Sequence, residues 1–161
     1  MSKTESLHYK LCCEGAKYLR SRKNAEFGFI PWKYIWVEPV VCGELCDIWG
    51  FNGGETINVE VKTSHSDFLA DKKKFYRQNE DFGKGVFRYY LAPKDIIKPE
   101  ELPEGWGLLE WDGTIVRQRY NIVKTVKASK LFPPSKQDFY VLSSLMRREG
   151  IKEGIYNYRN K

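Results

Sequence analysis

The chain has 161 residues, 42% of them hydrophobic and 15% aromatic, which suits one domain with a packed core and excludes a disordered chain. Lys and Arg number 27 against 21 Asp and Glu, a net charge of +6 that favours a polyanionic partner without establishing one. No stretch approaches the roughly 20 apolar residues that span a bilayer, and the polar start Met1-Ser2-Lys3-Thr4-Glu5 lacks the apolar run of a secretory signal.

A soluble, intracellular (cytoplasmic) protein with no membrane association is therefore expected. The four cysteines, Cys12, Cys13, Cys42 and Cys46, agree with a reducing compartment. If Cys42 and Cys46 share one strand they stand roughly 13 Å apart, too far to ligate one ion, and adjacent Cys12 and Cys13 point in different directions on a helix. They read as reduced, structural thiols.

In chain order, Leu7, Leu11, Tyr18 and Leu19 recur at helical spacing, and the pattern predicts a first helix over 4–23. Ser2 or Thr4 is placed to cap it, and Lys17, Arg20, Arg22 and Lys23 near its end suit the dipole. Three β-rich runs follow, 34–42, 45–51 and 56–62, with Asn52-Gly53-Gly54-Glu55 as a hairpin signal between the last two. Ser64 caps a predicted second helix running to about Asp81, with Asp67 three residues on and Phe68, Ala70, Phe75 and Tyr76 as its apolar side. A strand over 86–91 stops at Pro93, and Pro99 and Pro103 mark a loop. Residues 108–120 read as a hairpin turning at Asp112-Gly113, and 137–148 as a last helix with Phe139, Leu142, Leu145 and Met146 inward. A basic tail, 147–161, closes the chain. The order, helix, three strands, helix, strand and then a C-terminal hairpin and helix, makes one α/β domain with a mixed central sheet of four or more strands flanked by helices.

The chemistry concentrates in the first hairpin. If its loop is Gly53-Gly54, Asp47 falls directly opposite Glu60; if the loop is Asn52-Gly53, the partners shift to Asn58 and Leu45. Side chains alternate between faces, so either loop puts Asp47, Glu60 and Lys62 on one face and Ile48, Val59 and Val61 on the other. Opposed carboxylates about 5 Å apart repel by about 3 kcal/mol at an effective dielectric of 20. Solvent, a shared proton, Lys62 or a divalent cation must offset that, and a hard ion such as Mg2+ takes oxygen donors of this kind. A solvated acidic hairpin is the plain alternative, but Trp49, Phe51, Val59 and Val61 indicate a central strand pair, where charges are rarely buried.

Asp47, a hairpin, then Glu60-Val61-Lys62 resembles the D…(D/E)-x-K signature of the PD-(D/E)XK nuclease superfamily. The run Val59-Glu60-Val61-Lys62-Thr63-Ser64, then Asp67-Phe68, Asp71, Lys73 and Tyr76, and later Tyr89-Tyr90-Leu91-Ala92-Pro93, is most similar to its MmcB-like branch of DNA-repair nucleases. The resemblance covers a core of about 4–112, leaving about 113–161 as an extension, and implies a restriction-endonuclease-like fold. It implies that Asp47 and Glu60, with the Val61 backbone carbonyl, bind Mg2+ or Mn2+, and that Lys62 positions or deprotonates the attacking water. Cys46 stands where the superfamily name has proline. The family often adds a first-helix glutamate, for which Glu14 is the natural candidate, with Glu5, Glu38 and Glu44 as others.

Asp67, Asp71, Lys74 and Gln78 share one face of the second predicted helix, and Asp67, Lys74 and Gln78 are candidate cleft or nucleic-acid contacts. Lys72-Lys73-Lys74 reads first as a solvated run and second as phosphate contact. His8 and His65 are the only histidines, which disfavours a histidine-centred hydrolase or a zinc enzyme, and no phosphate-cradling Gly-rich motif is present. The expected activity is Mg2+-dependent hydrolysis of DNA, in repair or in phage or host DNA processing; a homodimer is compatible with it. The rivals are a non-catalytic nucleic-acid-binding module on the same fold and, from two carboxylates about 5 Å apart, a retaining glycosidase.

Overall fold

In the computed structural model, residues 6–21, 31–39, 45–113, 122–128 and 131–151 are described. The first helix, α1 (Leu7–Leu19), begins at Ser6, whose side chain accepts from the Tyr9 N–H at 3.2 Å. The cap is thus Ser6 rather than Ser2 or Thr4, and the helix ends at Leu19, short of Lys23. Leu11, Cys12, Gly15, Tyr18 and Leu19 form its buried stripe, while Leu7 is exposed.

Strands β1 (Tyr34–Val37), β2 (Ile48–Asn52) and β3 (Glu55–Val61) form an antiparallel meander. Ile48 pairs with Val59 and Asn52 with Glu55, so the loop is Gly53-Gly54. Both glycines have positive φ, 63° and 118°, which is the reason this turn uses glycine. β1 stops at Val37, before the predicted end at Cys42; Glu38 turns out of the strand at φ 47°, and 40–44 lie outside the described residues.

The second helix does not run to Asp81. It is α2 (His65–Lys72), capped by Ser64 on the Asp67 N–H, followed by a one-turn α3 (Phe75–Gln78) and a 3-10 turn over Glu80–Phe82. Lys74 between them is extended, at φ −63° and ψ 145°. Phe68 points inward, whereas Ala70 and Phe75 are exposed. The break lets Lys74 and Arg77 both reach the buried carboxylate of Asp71, an arrangement that tertiary electrostatics rather than helical periodicity determines.

β4 (Phe87–Pro93) and β5 (Gly107–Trp111) add in parallel, and β6 (Ile122–Val126) pairs antiparallel with β5, completing a six-stranded mixed sheet in chain order. The tight hairpin expected at Asp112-Gly113 does not form: Trp111 pairs with Ile122 and Leu108 with Val126, a register that a two-residue turn there cannot give, and 114–121 lie outside the described residues. That register buries Ile122 on one face and sets Val126 against the apolar cluster on the other.

The sheet's alternation makes a three-layer α/β domain architecture. Ile48, Ile57, Val59, Val61, Tyr89 and Leu91 pack with α1 on one face. On the other, Tyr90, Ala92 and Leu108 meet Phe68 of α2, and Trp49 meets the last helix, α4 (Lys136–Arg148). α4 turns Val141 and Leu145 inward and leaves Phe139 and Met146 exposed, contrary to the apolar count. Its orientation follows from Asp138, whose Oδ1 accepts from the Trp49 indole N–H at 3.0 Å and the Gly85 N–H at 2.9 Å. Among the described residues, no helix is long and apolar enough to cross a membrane.

Candidate active site

Glu60 and Lys62 leave the C-terminal end of β3 on the face opposite α1, because Val59 and Val61 between and before them are committed to the core. Asp47 immediately precedes β2, and continuing the Ile48–Val59 register sets it against Glu60. Its Oδ2 accepts from the Val61 N–H at 2.7 Å, which ties the Asp47 carboxylate to β3. Lys62 Nζ lies 3.5 Å from Glu60 Oε2.

The fourth member is Asp71, on α2 and 1% exposed. It lies 3.2 Å from Lys62 Nζ and 2.7 Å from Lys74 Nζ, takes Arg77 Nε at 2.7 Å, and accepts from the Tyr90 hydroxyl at 2.8 Å. Arg77 Nη2 also reaches Glu60 Oε2 at 3.1 Å. The Arg77 guanidinium lies over the Trp106 ring at 4.7 Å, and Trp106 stacks on Tyr90, which pairs with Glu60 across the β3–β4 ladder. An aromatic floor therefore fixes the guanidinium between two carboxylates.

Glu60 and Asp71 thus meet Lys62, Lys74 and Arg77 in a largely buried cluster, and Asp47 stands beside it, held by the Val61 N–H and His8 and within electrostatic reach of Glu60 and Lys62. Glu60 Oε1 alone of these carboxylate oxygens is buried with no hydrogen-bond partner. Burial, then the charge of Asp47, pushes the Glu60 carboxyl up to about 8 against the pull of Lys62. Burial also raises Asp47, opposed by the Val61 N–H, Lys62 and His8. For Lys62 burial works downward, but Glu60, Asp71 and Asp47 together reverse it and the net shift is upward. Burial lowers Arg77 and raises the Tyr90 hydroxyl.

The other sequence candidates are distributed differently. Glu14 pairs with Lys17 along α1 at 3.2 Å. Glu38, exposed at the end of β1, is joined to Asp47 through His8, whose Nε2 is 3.4 Å from a carboxylate oxygen of each. Glu5 and Glu44 lie outside the described residues. Asp67 is exposed at the first turn of α2, Gln78 is exposed at the end of α3, and Lys74 is half-exposed with its amine on Asp71. His65 pairs with Glu101 at 2.8 Å, away from this cluster. Arg77 is the member that the sequence reading does not name; Asp71, Tyr90 and His8 are named there without a role in the site. The signal for Asp71 was its i, i+3 spacing from Lys74; Arg77 enters only because the helix breaks.

The oxygen donors of Asp47 and the orphan Glu60 Oε1 fit a hard divalent ion, which would supply the missing partner of a buried oxygen. No family model matches the chain, and comparison with curated proteins and with solved structures gives no significant match.

Proposed function

We propose that this protein is a metal-dependent nuclease of the PD-(D/E)XK type that hydrolyses DNA phosphodiester bonds. The observation that carries the reading is the buried, unpartnered Glu60 Oε1 beside Asp47 and Lys62 at the end of a two-strand hairpin. Asp47 and Glu60, with the Val61 carbonyl, would hold Mg2+ or Mn2+. Such an ion, when bound, offsets phosphate charge and makes a bound water a better nucleophile at neutral pH.

This chain's own residues do the rest. Lys62, 5% exposed and anchored between Glu60 and Asp71, would orient the water and steady charge developing on the phosphate. Asp71 and Arg77 hold Lys62 and Glu60 in place from beneath. Lys74 projects its half-exposed amine from the same cluster and suits a contact to a neighbouring phosphate. The test is incubation of the purified chain with a panel of duplex, single-stranded and branched DNA, with and without Mg2+ or Mn2+. Metal-dependent products that vanish in Glu60→Ala and Lys62→Ala are expected; cleavage that survives both changes overturns the assignment.

One feature favours a second reading, a nucleic-acid-binding module without turnover. Two carboxylates, Glu60 and Asp71, already face three cations, so Lys62, Lys74 and Arg77 neutralise these acids internally. Metal-independent binding with no product on any DNA form would select it.

A further inference from the structure

His8 and Cys12 lie one turn apart on α1, on the side that meets the end of β1. The ligand atoms of His8, Cys12 and Glu38 all lie within 4.8 Å of one another. The cluster is closed below and open above: Cys12 is fully buried, while the His8 and Glu38 side chains are 35% and 49% exposed. Glu38 holds a left-handed backbone conformation, φ 47°, uncommon for a residue with a side chain. Its N–H donates to the Asp47 carbonyl at 2.7 Å, which ties the end of β1 to the residue before β2.

A sulfur, an imidazole nitrogen and a carboxylate oxygen form a mixed donor set. Such a set suits borderline divalent ions such as zinc and discriminates against Mg2+, which takes oxygen donors and keeps its waters. Ligand bonds of about 2.0–2.3 Å require the donors to close on a common centre. The exposed His8 and Glu38 side chains have the freedom to do so around the fixed Cys12 sulfur. We propose that His8, Cys12 and Glu38 form a site for a borderline divalent cation of the zinc class, with its fourth position open to water. An ion there pins the start of α1 to the end of β1 and adds positive charge beside Asp47, which His8 already touches. The proposal stands on donors different from those of the Asp47–Glu60 centre and does not depend on nuclease activity.

The test is titration of the full chain with Co2+ alone, read by optical absorption. A sulfur-to-cobalt charge-transfer band with intense visible d–d bands is expected, and Zn2+ should abolish both by displacement. His8→Ala, a change at a part-exposed position, and Cys12→Ser should each lose the bands while circular dichroism stays that of the folded chain. Glu60→Ala should keep them. No charge-transfer band in the folded wild type overturns the site, as does a band that survives Cys12→Ser, which would assign the sulfur to another cysteine, or one unchanged in His8→Ala, which would remove the imidazole from the ligand set. Loss of the band in folded Glu60→Ala also overturns it, because the ion would then sit in the Asp47–Glu60 centre.

Discussion

The Arg77 side chain, 2% exposed, sits between Glu60 and Asp71, with the Trp106 ring against its guanidinium. Removing one partner of a buried ion pair leaves the others desolvated and uncompensated, and typically costs about 3–5 kcal/mol. Arg77→Ala is therefore expected to lower stability by that order in denaturant titration, whereas Arg77→Lys, which keeps the charge but not the planar fork, should recover only part of it. Glu60 adds a pH dependence. Its ordinary value is 4.5 and its folded value about 8, so between these the unfolded chain ionises while the folded one keeps its proton. The stabilisation is fully present below about 4.5 and is lost as pH rises through about 8. In metal-free buffer the wild-type Tm should fall across that window more steeply than that of Glu60→Gln, which lacks the titration. Equal slopes would mean that Glu60 ionises in the usual carboxylate range.

At the scale of elements, two joints fix where the cluster stands. The β2–β3 hairpin sets the Asp47–Glu60 register through Gly53-Gly54. The second is the N-terminus of α4, where Ser135 and Asp138 form a reciprocal cap and the same Asp138 carboxylate binds Trp49 and Gly85. Asp138→Ala would strand the buried Trp49 indole, Gly85 and Ser135 N–H donors, and a loss of at least about 2–3 kcal/mol is expected, read from the denaturation midpoint by tryptophan fluorescence. Sequence reasoning located most of these elements because their signals are local: the glycine pair and the Ser64 cap. It misoriented α4 because a buried aspartate outweighed Phe139 and Met146, and it ran α2 through Lys74 because nothing local marks the break. The hairpin at Asp112-Gly113 failed for the same reason, since β6 takes its register from packing on both faces of the sheet.

At the scale of the molecule, the net +6 and the half-exposed Lys74 bear on the proposed partner. If DNA is bound through phosphate contacts, each contact contributes a salt slope of about −0.9, and affinity should fall more than about tenfold between 50 and 200 mM salt. Lys74→Ala should lower that slope by about one, measured by fluorescence anisotropy on one duplex at several salt concentrations. An unchanged slope would remove Lys74 from the contact surface.

Sequence by itself determined the α/β order of elements, the parity that sends Val59 and Val61 one way and Glu60 and Lys62 the other, and the acids and amine worth watching. Those follow from alternation and turn chemistry, which are properties of neighbouring residues. Only the tertiary structure decided that Asp71 and Arg77 complete the cluster, that Tyr90 and Trp106 hold the guanidinium, and that His8 stands beside Asp47 and Glu38. These groups come together from α1, α2, α3, β4 and the chain before β5, and what joins them is the mutual compensation of charges taken out of water, which no local pattern records.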